Sequence, residues 1–92
     1  MKVMMLDNLK LIKCPGCNRV HPIDSRWTYN EDRDNPTFSP SLLVNEHRPH
    51  MRCHSFIKNG HIQFLSDCFH SLAGQTVVLP EWHPDDDYWS DD

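Results

Sequence analysis

Only three of the 92 residues are glycine, and no 12-residue window repeats apolar side chains at the spacing of an amphipathic helix. Short strand-like runs between turn signals dominate instead, so the sequence predicts a mainly β fold. No apolar run approaches the length that crosses a membrane. The apolar start of the chain is too short for a signal peptide, and Asp7 ends it. We therefore expect a cytoplasmic protein.

The sequence also lacks an excess of basic residues: it has nine Lys and Arg but 13 Asp and Glu. Six of these acids lie in residues 81–92, so residues 1–80 are nearly neutral. We predict one domain over 1–80 and an acidic C-terminal tail over 81–92. A nearly neutral body favours a protein partner, because nucleic-acid binders usually show a basic stripe. A nucleic-acid-binding zinc ribbon stays an alternative, since cations and stacking rings are present at Arg19, Arg26, Arg33, Trp27 and Tyr29.

The four cysteines include a pair with metal-ligand spacing, Cys14 and Cys17, with Pro and Gly between them. Such a knuckle supplies half of a tetrahedral zinc site, and a second Cys/His cluster follows about 35 residues later. The alternatives are a disulfide and a redox motif. A reducing cytoplasm disfavours the disulfide, and no amphipathic helix follows Cys17 as the redox motif requires. The sequence therefore predicts bound Zn²⁺.

The clearest element is a β-hairpin over 51–58 and 61–65 around the turn Asn59-Gly60. If Lys58 pairs with His61, alternation places Cys53 and Cys68 on one face of the hairpin. His54 points to the opposite face, although it is the rival of Cys53 in the sequence. The predicted metal ligands are therefore Cys14, Cys17 and Cys53, completed by Cys68 or by His70.

Further strands are expected over 9–13, 26–30, 41–44 and 76–79. A short helix is expected over 68–73, with Asp67 as its cap and Gly74 as its end. The predicted fold is thus a small, zinc-ribbon-like β-sheet with one short helix, stabilised by a structural metal.

One polar group next to the presumed metal has an enzyme-like composition: Asp67, His70, Ser71 and Gln75. A zinc-activated water with Asp67 as general base would make a small zinc-dependent hydrolase. Four strong ligands leave zinc no open position, however, and closed sites are structural. We therefore expect a protein that is not an enzyme, with hydrolysis as an alternative.

Several stretches share a pattern with known sequences: 14–17, 27–30, 36–42, 53–57, 62–76 and 79–80. Together they resemble a family of short proteins from tailed bacteriophages and prophages, some of which carry the label "ammonia monooxygenase". The resemblance implies a phage origin and a role in the cytoplasm of an infected bacterium. In the resembling sequences Ser also occurs at the Cys68 position while the His70 position stays, which favours His70 as the ligand.

The expected function is that of a phage-encoded, zinc-binding accessory protein. It would act by binding a host protein, either a host factor or a defence component. Neither the identity of that partner nor the oligomeric state follows from the sequence.

Overall fold

The computed structural model describes residues 1–45, 47–48 and 50–83, and all the strand pairs in this part of the chain are antiparallel. The strands are β1 (Met4–Leu6), β2 (Leu9–Cys14), β3 (Arg19–Ile23), β4 (Thr28–Tyr29), β5 (Phe38–Val44), β6 (Cys53–Lys58), β7 (His61–Phe64) and β8 (Thr76–Val78). None of the described residues forms a helix, so none offers an apolar helix of membrane-crossing length.

The first sheet has three strands in the order β1-β2-β3. A two-residue turn joins β1 to β2, and Asp7 takes a positive φ of 53° there, which the short Asp side chain tolerates. Cys14 ends β2 and pairs with Arg19, and the loop that this pair closes carries Cys17. The sequence predicted β2 but neither β1 nor β3.

The second sheet has five strands in the order β4-β5-β6-β7-β8. Its centre is the predicted hairpin, whose register of Lys58 with His61 is confirmed. Asn59 and Gly60 both have positive φ, 51° and 78°, as the two-residue turn requires. The β6–β7 ladder ends at the pair Ser55–Phe64, so it does not extend to Cys53.

Strand β5 carries a bulge opposite β6. Phe38 pairs with Ile57 and Leu42 pairs with Ser55, so the three residues 39–41 stand opposite one residue of β6. The Ser39–Pro40 peptide bond inside this bulge is cis. Bulges redirect side chains and are frequent beside active sites.

The predicted short helix over 68–73 is wrong. The backbone N–H of Phe69 donates to the carbonyl of Arg52, and that of Gly74 donates to the carbonyl of Phe64. A helix would direct the Gly74 N–H to the His70 carbonyl, but that carbonyl instead accepts the Ala73 N–H, three residues on, as in a turn. Residues 65–75 are therefore a series of turns that wraps around the start of β6.

The two sheets enclose a single core. Its members come from both sheets and from the connecting segments: Val3, Ile12, Cys14, Ile23, Phe38, Leu42, Cys53, Ile57, Ile62, Phe64, Cys68 and Leu79. Along β6 the side chains alternate, with Cys53, Ser55 and Ile57 buried and the residues between them facing outward.

Two residues of the predicted acidic tail pack on the body. Trp82 is 7% exposed; its backbone N–H donates to the carbonyl of Met1, and the Lys13 ammonium lies 4.9 Å from its ring centre. The Glu81 carboxylate lies 2.8 Å from the Lys2 ammonium. The rest of the predicted tail, residues 84–92, lies outside the described residues.

Candidate active site and metal centre

The bulge in β5 brings a serine to a histidine of β6. Leu43 pairs with His54, so Ser41, two residues earlier on the same face, is a diagonal neighbour of that histidine. The Nε2 atom of His54 lies 3.1 Å from the Ser41 hydroxyl oxygen. Both side chains belong to the outward face of the sheet, so a substrate in solvent could reach them.

The second ring nitrogen of His54 faces a carboxylate. Its Nδ1 atom lies 3.4 Å from Oδ2 of Asp67, which is a long hydrogen bond. The same carboxylate oxygen lies 3.4 Å from Nε of Arg52. Asp67 is therefore held between a cation and the imidazole, and the three groups Ser41, His54 and Asp67 form one continuous chain of contacts.

The Cys68 thiol fixes the backbone of this histidine. Its Sγ donates to the His54 carbonyl over 3.1 Å and accepts the His54 N–H over 3.2 Å. The N–H of Leu65 donates to the same carbonyl over 2.9 Å. These bonds replace the β6–β7 ladder where it ends, and they bring Asp67 alongside the imidazole.

A cluster of cysteines lies on the inward face, directly behind the histidine. Single ligand atoms of Cys14, Cys17, His21 and Cys53 all lie within 4.8 Å of one another, and so could hold a metal ion. The sulfurs of Cys14 and Cys53 are 3.9 Å apart. That separation is far beyond a disulfide bond length, and none of the four cysteines forms a disulfide.

The thiols perturb one another strongly. Hydrogen bonds from Cys17 and Cys53 lower the pKa of Cys14, whereas the bond to Cys14 raises the pKa of Cys17 to about 12. The pKa of Cys53 is raised for the same reason. Cys14 is thus the thiol that ionises most readily, and a positive charge among the sulfurs would favour the thiolate form of the other two. A bound cation would supply that charge.

Two histidines accompany the cysteines. Burial lowers the pKa of His70, whose Nε2 lies 3.4 Å from the Cys53 sulfur and whose Nδ1 accepts the N–H of Leu72. His21 is buried, and its Nε2 has no hydrogen-bond partner among the described residues. The sequence predicted His70 as a candidate ligand and did not single out His21.

The structure brings the predicted ligands Cys14, Cys17 and Cys53 together. It also groups Cys53 with Cys68 and His70, again within 4.8 Å, so the two groups share one cysteine. His54 lies on the opposite face, as the hairpin register predicted.

Of the polar residues predicted beside the metal, Asp67 belongs to the contact chain with His54. The side chain of Gln75 instead donates to the backbone carbonyl of Ser71. The serine that faces the histidine is Ser41, which the sequence did not single out. Ser41, His54 and Asp67 are separated by 13 residues each and form no local motif, so no spacing pattern along the chain could have identified them.

The comparison with protein families finds a match over much of the chain. The model of the BubE family, described as bacterial ubiquitination-like system serine protease, matches residues 3–65. The match covers more than half of the chain, so the chain belongs to this family. No curated protein matches, and no solved structure does.

Proposed function

We propose that this protein is a serine protease whose catalytic residues are Ser41, His54 and Asp67. The observation that carries the proposal is the pair of contacts on the two nitrogens of His54: 3.1 Å to the Ser41 hydroxyl and 3.4 Å to the Asp67 carboxylate. Membership of a family described as serine proteases supports it independently, because Ser41 and His54 lie inside the matched segment.

Each of the three side chains has a role that its position allows. The Ser41 hydroxyl attacks the carbonyl carbon of the scissile bond while Nε2 of His54 accepts its proton. The imidazolium that forms is stabilised by the Asp67 carboxylate, which accepts a hydrogen bond from Nδ1–H and fixes the ring tautomer. His54 then gives the proton to the leaving amine, which leaves Ser41 acylated. Water, activated by His54 in the same way, hydrolyses this acyl-enzyme and regenerates the serine.

We also propose that the cysteine cluster binds Zn²⁺ in a structural site. Tetrahedral zinc with sulfurs at 2.3 Å separates two sulfurs by about 3.8 Å, and the Cys14 and Cys53 sulfurs are 3.9 Å apart. Four protein ligands would close the site, so the metal would supply folding free energy rather than chemistry. The hydrolytic chemistry in this proposal belongs to the serine on the other face of β6.

The contacts favour His21 over His70 as the fourth ligand. Because His70 Nδ1 accepts the Leu72 N–H, the ring proton lies on Nε2 and faces the Cys53 sulfur. His70 then donates a hydrogen bond to the sulfur of Cys53, as residues around a metal site commonly do to the metal-binding side chains. His21 has a buried ring nitrogen without a partner, which a metal ion would satisfy.

A phage origin and a host-protein partner stay predictions. The triad geometry supports a catalytic role better than the purely binding role expected from the sequence.

The proposal is tested with a peptide library prepared from a bacterial proteome, with all amino groups blocked before the reaction. New N-termini are then counted by mass spectrometry. The wild-type protein should produce new N-termini, whereas Ser41→Ala protein should not. Ser71→Ala is the control and should match the wild type, because Ser71 is exposed and forms no hydrogen bond with His54 among the described residues. Equal counts from the wild type and from Ser41→Ala protein would contradict the assignment.

A further inference from the structure

A surface groove lies next to the proposed catalytic residues, further along β6. It lies on the outward face of the five-stranded sheet and has a volume of about 630 Å³. Its outward-facing lining consists mainly of Ser39, Phe56, Lys58, His61, Gln63 and Thr76. Phe56 is 44% exposed, and its ring centre lies 6.5 Å from that of His54. Through Phe56 the groove is therefore adjacent to the proposed catalytic histidine.

Three side chains of β6 define the direction of this groove. His54, Phe56 and Lys58 alternate with the buried residues, so they form a row with about 7 Å between neighbours. An extended peptide has the same repeat along its own chain. A substrate lying along β6 would thus place one side chain on Phe56 and another, two residues further on, beside Lys58.

The charge of the groove selects what that second side chain can be. Lys58 is exposed and has no carboxylate partner among the described residues. It pairs across the ladder with His61, and the described residues that line the groove include no Asp or Glu. A substrate carboxylate would meet a positive group there and no competing negative one.

We propose that this groove is the substrate subsite of the protein. It binds an extended segment of the substrate that has an apolar side chain on Phe56 and an acidic side chain beside Lys58. The two substrate residues are two positions apart, and the acidic one lies about two to four residues from the scissile bond, because Ser41 stands opposite Phe56 and its hydroxyl contacts His54. This inference rests on the proposed function, because it is the triad that makes the groove a subsite.

The test uses nuclear magnetic resonance on the full-length Ser41→Ala protein with zinc present. The probe is a blocked five-residue peptide with phenylalanine and glutamate two positions apart; its partner has lysine in place of glutamate. The glutamate peptide should shift the amide signals of Phe56, Lys58 and Gln63, and it should bind about two- to fivefold more tightly than the lysine peptide. Lys58→Glu should reverse that preference.

Arg48→Glu is the matched control, because this exposed residue lies in the loop before β6, at the far end from Lys58. It should leave the preference unchanged. Phe56→Ala should weaken both peptides alike. Shifts confined to β1–β3, or a preference that Lys58→Glu does not change, would overturn the inference. Shifts at Phe56 that depend on protein concentration without peptide would assign the groove to a second copy and overturn it too.

Reaction of the wild-type serine with a fluorophosphonate separates the two proposals. If Ser41 reacts but the peptides bind elsewhere, the subsite is wrong and the triad stands. If the peptides bind the groove but Ser41 does not react, the groove binds acidic segments and the protease assignment fails.

Discussion

Cys53 and His54 are neighbours on β6 whose side chains leave the strand on opposite faces. The Cys53 sulfur lies 3.9 Å from the Cys14 sulfur, inside the cysteine cluster. The His54 Nε2 lies 3.1 Å from the Ser41 hydroxyl, on the outward face. One strand therefore separates the proposed metal site from the proposed catalytic site, and the His54 side chain can be replaced without removing a metal ligand.

The first prediction concerns this pair. Cys53→Ala should lose zinc and unfold, because metal binding energy is part of the folding energy of such sites. His54→Ala should keep the fold and about one zinc per chain, yet lose proteolysis by about 10³-fold or more. Metal analysis, circular dichroism and rate measurements give the three readouts. The opposite result would show that the histidine is the ligand.

A second prediction concerns the fourth ligand. His21→Ala should remove zinc, whereas His70→Ala should keep it with affinity about 10- to 100-fold lower, as for other residues that hydrogen-bond a ligand. Competition with a chromophoric chelator measures both affinities. Complete loss of zinc from His70→Ala protein, with zinc retained by His21→Ala protein, would exchange the two roles.

A third prediction tests the contact between the cysteine knuckle and His70. A Cβ on Gly16 would overlap the His70 ring. Gly16→Ala should therefore lower the free energy of unfolding by about 1–3 kcal/mol, measured with urea in excess zinc. In a His70→Ala background the same change should cost much less, because the ring is gone. An equal cost in both backgrounds would exclude the clash as the cause.

A fourth prediction concerns the carboxylate behind His54. Asp67→Asn should lower kcat by about 10⁴-fold, as the same change does in a Ser-His-Asp triad elsewhere. Arg52→Gln should lower it by about two- to fivefold, because the ion pair is only partly buried, with 38% and 40% of the two side chains exposed. Steady-state kinetics should place both effects on kcat rather than KM. Unchanged kcat in Asp67→Asn protein would remove Asp67 from the mechanism.

A fifth prediction uses acid. Hydrogen bonds from Lys2 and from the Met1 amino group lower the pKa of Glu81 from 4.5 to about 2. The folded pKa is the lower one, so this carboxylate stabilises the fold above pH 4.5 and loses that effect as the pH falls towards 2. The stability difference between the wild type and Glu81→Gln should therefore shrink over that window. A difference independent of pH would show that the carboxylate charge is not involved.

Local signals in the sequence predicted the features that local chemistry decides. The Asn59-Gly60 turn fixed the register of β6 and β7, and that register correctly separated Cys53 from His54. The Cys14–Cys17 spacing indicated one half of the cysteine cluster. In each case a few neighbouring residues determine the geometry.

The remaining features depend on contacts between distant segments. The helix expected over 68–73 does not form, because this segment bonds to the start of β6 instead. The Phe69 N–H donates to the carbonyl of Arg52, and the Cys68 thiol bonds to the backbone of His54. Ser41 faces His54 because of the register between β5 and β6 after the bulge in β5. The turns over residues 65–75 place Asp67 beside His54. No spacing rule along the chain connects the three.

The most direct measurement of the central claim is the site at which a fluorophosphonate reacts with the full-length protein. Tandem mass spectrometry of the labelled chain should locate one adduct on Ser41, since an activated serine reacts far faster than an ordinary hydroxyl. His54→Ala should abolish the adduct while zinc stays bound. An adduct on another serine, or labelling of Ser41 that survives His54→Ala, would contradict the assignment of Ser41 and His54 as nucleophile and base.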